Sequence, residues 1–498
     1  VKFFRTFAPA LILLSQFAWA QNNIRLQTRT FQPPSGETSL PPVARNGQRA
    51  PRSHYILQFG AYPGPEIRQE LERRGVSVLA YVPDSALMVS SGPGAELRGL
   101  GATWAGSLET PDKLSPRLAA GPAPAFLVEF FPDVDMGTAR ALVLQNGFAP
   151  VENRGLLPGH LVVKGDPNRL AELAANDEVA FILPASADLA AGADVAGCGG
   201  AETSAGSVPD YATMGTGWAP DASGAVALQY FIESLPANLN AATAQAQIVK
   251  AFSQWASYVN VSFTEGGSAA SERTIAILTA SYAHGDAYPF DGPGGVLAHT
   301  FYPAPPNPEP LAGDMHFDAS ETWGVGVNTD LFSVALHEAG HALGMAHSTD
   351  PAAVMYPYYH VATGLNGDDI AGIQSLYGAI AATPPVQPVT PPPTPTAPAS
   401  PPSGTDNTPP TLKVVSPSST IVSTTSSAIF VSGTATDNVG VTAVQWTTST
   451  GSAGNATGTA SWTLQAPLLV GTNAVTVRAF DAAGNSAWRT ITVVRSGD

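Results

Sequence analysis

Three imidazoles, one carboxylate and one glycine lie together in the run His337-Glu-Ala-Gly-His-Ala-Leu-Gly-Met-Ala-His347. On a helix, residues four apart share a face, so His337 and His341 can grip one metal ion. Glu338 lies beside the first of them, close enough to act on a metal-bound water. Gly344 lets the chain break from the helix and turn back. His347 can then fill a third coordination position and leave the fourth open. A zinc ion held in this way would acidify a water and polarise a carbonyl, with Glu338 as the general base.

A second set of donors lies upstream. It spans His284-Gly-Asp-Ala-Tyr-Pro-Phe-Asp-Gly-Pro-Gly-Gly-Val-Leu-Ala-His299 and Gly313-Asp-Met-His-Phe-Asp-Ala-Ser-Glu-Thr-Trp323. His284, Asp286, His299 and His316 offer three imidazoles and one carboxylate, enough for a closed four-coordinate structural zinc. Six of the nine histidines are used by these two sets.

The extended histidine run, with Met355 following in Ala353-Val-Met-Tyr-Pro357, resembles the metzincin signature and its Met-turn. Together with the upstream segment, Ser348 and the closing Leu365-Asn-Gly-Asp-Asp-Ile-Ala-Gly-Ile-Gln-Ser-Leu-Tyr-Gly378, it makes 208–378 similar to the matrixins. That resemblance implies an α/β zincin-like catalytic domain with a twisted sheet and a zinc helix. It implies a calcium ion on Asp291, Asp318 and Glu321, with the backbone carbonyls of Gly292, Gly294 and Val296; hard oxygen donors on a flexible loop suit that ion. Met355 would floor the metal site, and Pro357 and Tyr359 would wall the pocket for the residue after the cut. Ser333, one turn before His337, is small and leaves that pocket deep. In the family a cysteine ahead of the domain can cap the zinc and keep the enzyme latent. Cys198, the chain's one cysteine, is placed for this in Gly197-Cys-Gly199, without the family's flanking Pro-Arg and Pro-Asp. Two departures stand out: an expected Asp before His284 is absent, and Pro303–Pro310 is an insertion.

The elements that would position these groups follow from the apolar pattern. Residues 54–190 read as two units of β-α-β-β-α-β order, a ferredoxin-like tandem. In the first, Tyr55–Phe59 is a strand, 66–74 a helix, 76–89 strand material, 95–100 a second helix and 103–107 a last strand. The second repeats the order from 125 to 183. The pair resembles modules ahead of some bacterial subtilisin-like peptidases, which implies a pro-region role. Residues 191–207 are rich in small side chains and read as a linker, and 208–380 as the catalytic domain. Residues 381–410 form a Pro/Thr-rich linker. Residues 411–498 alternate apolar and polar positions in six strands, a β-sandwich. Its turns Thr436-Asp-Asn-Val-Gly440 and Phe480-Asp-Ala-Ala-Gly-Asn485 resemble bacterial immunoglobulin-like modules.

Composition bounds the rest. A chain of 498 residues exceeds one ordinary domain. Residues 1–20 read as a signal peptide, with a basic start at Lys2 and Arg5, an apolar run and Ala18-Trp-Ala20 at the cut. Residues 21–53 read as a polar linker. A secreted, extracellular protein is expected, with no transmembrane anchor, and Val1 in place of Met hints at a bacterial source. Net charge is −16. Between 201 and 380, 17 Asp and Glu face only Lys250 and Arg273, which disfavours nucleic acid as a partner. The expectation is a monomeric secreted zinc endopeptidase acting on proteins or peptides, with a C-terminal module for a surface, polymer or other protein. A non-catalytic surface-binding or adhesion protein with a metal-stabilised scaffold is the competing reading. Such a scaffold has no need of Glu338.

Overall fold

A computed structural model describes residues 23–34, 52–92, 95–121, 123–213, 215, 217–327, 329–380, 408, 410–417, 419, 421–448, 453–468, 471–481 and 486–496. The expected signal peptide and most of the 381–410 linker lie outside the described residues. The chain divides into two compact units, 1–239 with 251–380, and 240–250 with 381–498.

Part of the expected polar linker, 21–53, is a hairpin instead. Strands β1 (Ile24–Arg25) and β2 (Thr30–Phe31) pair antiparallel. Ile24 and Leu26 are buried in the same apolar cluster as the first module. Arg29 makes a two-pronged ion pair with the buried Asp112, at 2.8 and 2.7 Å, which anchors the arm.

The first module contains β3 (Ser53–Phe59), α1 (Pro65–Arg73), β4 (Val76–Val82), β5 (Ala86–Ser91) and β6 (Ala102–Gly106), in the sheet order β4-β5-β3-β6. The second contains β7 (Phe126–Phe130), α2 (Met136–Gln145), β8 (Ala149–Val151), β9 (His160–Lys164), α3 (Leu170–Ala174) and β10 (Val179–Pro184), in the order β10-β7-β9-β8. Every pairing in both sheets is antiparallel. The helix expected over 95–100 is absent. Gly99 and Gly101 adopt φ of 79° and 77°, so the segment turns, and Leu97 and Leu100 are buried from that turn.

The sheet of the second module is buried on both faces. Phe126, Val128, Phe130, Leu161, Val163 and Ile182 face its own helices. Leu127, Val162, Phe181 and Leu183 face a cluster that also contains Ala346, Tyr356 and Tyr358. Burial on both faces explains why its strands are apolar at nearly every position.

After α4 (Ala187–Ala191) the chain enters a six-stranded sheet. This sheet contains β11 (Gly197–Glu202), β12 (Val226–Ile232), β13 (Val261–Glu265), β14 (Thr274–Ala280), β15 (Val296–Phe301) and β16 (Met315–Asp318), in the order β11-β15-β16-β14-β12-β13. Helix α5 (Ala241–Ala256) connects β12 to β13. A two-residue pair, β17 (Trp323–Gly324) and β18 (Thr329–Asp330), leads into α6 (Leu331–Ala342), and α7 (Gly367–Tyr377) follows.

The expected linker 191–207 therefore contains the edge strand β11, parallel to β15. Its small residues serve close approach rather than flexibility. A Cβ at Gly199 would lie 3.2 Å from both His299 Cβ and Val296 Cγ1, and one at Gly197 3.0 Å from Pro357 O. The Pro303–Pro310 insertion grips the end of this strand. Asn307 is fully buried and donates from Nδ2 to Glu202 O (2.7 Å) and Tyr302 O (2.8 Å).

In the C-terminal unit, strands Thr411–Ser416, Ala428–Thr436 and Ser461–Pro467 form one sheet. Ile421–Thr424, Ser486–Arg495, Gly471–Asp481, Val441–Thr448 and Ala453–Asn455 form another. Val431, Trp462, Leu464, Val475, Val477 and Ile491, drawn from both sheets, share one core. Ile421–Thr424 and Ala453–Asn455 are additional to the six strands expected.

Candidate active site and metal centres

Helix α6 carries His337, Glu338 and His341, and all of its residues are buried. Asp330 caps it by accepting from the Ser333 N–H at 3.0 Å. Trp255 Nε1 donates to Leu336 O at 2.8 Å, and Met355, fully buried, lies against Gly340. A Cβ on Gly340 would come 2.3 Å from Met355 Sδ. Asp369 holds the turn containing Met355, accepting from Val354 N (3.0 Å) and Met355 N (3.1 Å). Gly344, at φ 95°, turns the chain out of the helix and delivers His347.

The three rings each use Nδ1 as an anchor. His337 Nδ1 lies 2.6 Å from Val354 O and His341 Nδ1 2.8 Å from Met345 O, so both must donate there. His347 Nδ1 lies 2.8 Å from Asp210 Oδ1. The Nε2 atoms are left as lone pairs. Those of His337 and His341 face each other at 3.0 Å, and that of His347 has no partner. Two lone pairs at that distance repel unless a cation lies between them. A tetrahedral zinc with nitrogens at ~2.05 Å would set them about 3.3 Å apart. Burial, with His347 nearby, takes His337 down to about 3, and burial keeps His341 well below its ordinary value. Both are therefore neutral and able to ligate. The residues fit a zinc ion.

Cys198 completes a four-donor group with these histidines, all four buried and their ligand atoms within 4.8 Å of one another. Its strand lies in the groove between β15 and residues 357–359. Cys198 N donates to Pro357 O (3.1 Å) and Tyr359 N to Ala196 O (2.9 Å). Burial and the Glu338 carboxyl push the Cys198 thiol up; a cation in the middle of the group would reverse that bias. Glu338 is itself raised by burial to about 7. Thr300 Oγ1 donates to its Oε2 at 2.6 Å, while Oε1 makes no hydrogen bond. Ser333, Pro357 and Tyr359 line one pocket with His337, Glu338 and Val354. The Ser333 hydroxyl is tied to Asp330 Oδ2 at 2.6 Å.

His284, Asp286, His299 and His316 also come together. Their backbone positions arise from a loop and from strands β15 and β16, where His299 and His316 are directly paired. Asp286 Oδ2 lies 2.8, 3.1 and 2.9 Å from nitrogens of His284, His299 and His316. Burial works against the Asp286 charge, but the hydrogen bonds from His299 and His316 outweigh it and hold the carboxyl well below its ordinary range. This donor set also fits zinc. Among the calcium candidates, Glu321 Oε1 accepts from Gly294 N (2.6 Å) and Asp291 Oδ1 from Val296 N (3.0 Å). Asp318 Oδ2 is buried with no partner. Gly292 and Gly294 have φ of 95° and 84°, which shape the loop.

With this geometry in place, comparison with known proteins gives a consistent answer. A family model described as Matrixin matches residues 218–378. The chain carries a matrixin domain. Matrix metalloproteinase-20 of Homo sapiens is 45% identical over 156 residues, 30% of this chain and 31% of that protein. Neutrophil collagenase of Homo sapiens is 42% identical over 166 residues (32% and 34%), and macrophage metalloelastase of Rattus norvegicus 47% over 140 residues (27% and 29%). The chain thus spans about a third of the length of these relatives. A second model, described as a domain of unknown function (DUF8729), matches residues 25–109, taking in most of the N-terminal hairpin as well as the first module. Among the described residues, no helix is long and apolar enough to cross a membrane.

Three contributors were not singled out from the sequence. Thr300 and Asp210 carry no local signal, because their partners lie far off in the chain. Asp369 has one: Asn366 and Asp369 form a capping box at the start of α7.

Proposed function

We propose that the protein is a secreted zinc endopeptidase that hydrolyses peptide bonds of extracellular proteins and is made in a latent form. The observation that carries the reading is the convergence of three Nε2 atoms beside the buried Glu338 carboxyl, within a matrixin domain. When bound, zinc supplies an acidic water and a polarised carbonyl. Glu338, poised near neutrality by burial, takes the water proton and returns it to the leaving amine. Thr300 holds one oxygen of that carboxyl, leaving the other for the water. The pocket lined by Ser333, Pro357 and Tyr359 receives the side chain after the cut.

His284, Asp286, His299 and His316 hold a structural zinc, and Asp291, Asp318 and Glu321 hold calcium with the carbonyls of Gly292, Gly294 and Val296. Residues 54–190 act as a ferredoxin-like tandem pro-region; the strand orders support this. Cys198 blocks the fourth zinc position, on a strand that also fills the groove. The C-terminal unit serves as an immunoglobulin-like module that docks the monomer on a surface or polymer.

The test is casein cleavage by matured protein. Glu338→Ala should lower turnover by ~10²–10⁴-fold with zinc content unchanged. Cleavage at the wild-type rate in that variant would end the reading.

A further inference from the structure

We propose that Asp210 is a positioning residue for the zinc site, so that the uncut chain grips its catalytic metal through a carboxylate that lies ahead of the segment matched by the Matrixin model. The proposal rests on the reading of His337, His341 and His347 as zinc ligands. Asp210 lies ahead of the matched segment 218–378. His337 and His341 are anchored by backbone carbonyls of the domain itself. His347 alone is anchored by a side chain, at 2.8 Å with both partners buried. A carboxylate on Nδ1 fixes the tautomer that presents Nε2 to the metal. It also makes that nitrogen a stronger donor, as a carbonyl does less well.

Asp210 is itself held in place by two earlier parts of the chain. The buried carboxyl of Glu129, on β7, lies against Asp210, and burial with the Asp210 charge nearby keeps it raised toward its neutral form. The N-terminal arm fixes the neighbouring residues. Gln27 N donates to Tyr211 O at 2.8 Å, and Thr213 N donates to Arg25 O at 3.1 Å. Gln27 Nε2 spans Ala212 O (3.3 Å) and His347 O (3.2 Å), touching the segments that carry both partners of the pair. The hairpin, the second module and the third ligand thus meet at the short segment that carries Asp210. Any cut that separates residue 210 from residue 347 removes the anchor and loosens the metal.

The experiment uses the full chain as wild type, Asp210→Asn and Asp210→Ala, loaded with zinc and titrated against a chromophoric chelator. Loss of a carboxylate behind a ligating histidine costs ~10–100-fold in metal affinity, so Asp210→Ala should release one zinc that much more readily. Asp210→Asn keeps an acceptor for Nδ1 without the charge and should fall between, with an unfolding temperature like wild type. The second zinc, at His284, Asp286, His299 and His316, is the internal control and should be unaffected. With cobalt(II) in place of zinc, the ligand-field bands should shift in both variants, which a merely structural role would not produce. Wild-type affinity and an unshifted spectrum in Asp210→Asn would overturn the proposal. A His341→Ala chain that holds as much zinc as wild type would overturn the underlying site assignment instead.

Discussion

The two histidine clusters are built from similar donors, yet they differ in where the fourth donor comes from. In the upstream cluster Asp286 lies two residues from His284, and its Oδ2 already sits among three ring nitrogens. That shell closes from within one short stretch of chain and the strands beside it. In the α6 cluster the fourth donor is Cys198, far earlier in sequence and carried on a strand of its own. A shell closed by its own loop can only stabilise. On the proposed reading, a shell closed by a strand from elsewhere in the chain is one that release of the strand would open, and opening it would expose Glu338 and the Ser333 pocket to substrate.

The sharpest way to break the comparison is to remove one ligand from each cluster. His341→Ala should abolish casein cleavage in matured protein, to below about 1% of wild type, since the metal and the polarised carbonyl are lost together. Unfolding temperature should fall by the cost of emptying one buried imidazole site, but by less than in the upstream variant, because the strand that carries Cys198 keeps its backbone bonds to residues 357–359. Asp286→Ala should do the reverse. Three buried imidazoles around a metal short of its fourth donor should cost ~3 kcal/mol, or about 6–12 °C at ~2–4 °C per kcal/mol, with the residual folded fraction still cleaving. Equal losses of stability in the two variants, read by calorimetry, would erase the distinction between a working and a supporting metal.

Cys198→Ala probes the detachable side. The strand would keep its backbone bonds to residues 357–359 but lose its grip on the metal. Full-length protein should then cleave a short peptide substrate at a rate between latent wild type and matured enzyme, measured without any activating protease. A rate no higher than that of latent wild type would leave the thiol without a regulatory role.

How much of this was legible beforehand depends on whether a residue's neighbours are near it in the chain. His337, Glu338, His341 and His347 could be read because helix geometry and one glycine fix their relations locally. The upstream donors were readable for the same reason, since they lie on one loop and two adjacent strands. Segment 197–202 was misread because glycine and alanine have two uses: they make chain flexible, and they let a strand pass close to another surface. Only the positions of His299, Val296 and Pro357 show that the second use applies here. The turn at 95–100 was misread as a helix because its leucines fit a helical face, and the positive φ of Gly99 and Gly101 is not visible in a hydrophobic pattern. Asp210 could not be read at all, because nothing near it in sequence says that it ends beside His347.

The smallest expected effect concerns how firmly the strand is held. Glu202 ends β11 fully enclosed, and burial raises its carboxyl to about 8 against donation from the Ser207 hydroxyl, with Asp286 and Glu338 adding to the rise. A folded-state value above the unfolded one, near 4.5, means that the folded chain favours the protonated acid. The stability this gives is complete below about pH 4.5 and is lost as pH climbs through 8. The latent strand should therefore be held more loosely at pH 8.5 than at pH 5. Glu202→Gln keeps the shape and removes the titration. Its unfolding temperature relative to wild type should be nearly equal at pH 5 and higher by a few degrees at pH 8.5, with slower activation by an added protease at the higher pH. A wild-type-minus-variant difference that stayed flat between those pH values would show that the carboxyl is already ionised in the fold, and that the detachable strand is no more sensitive to pH than the closed shell beside it.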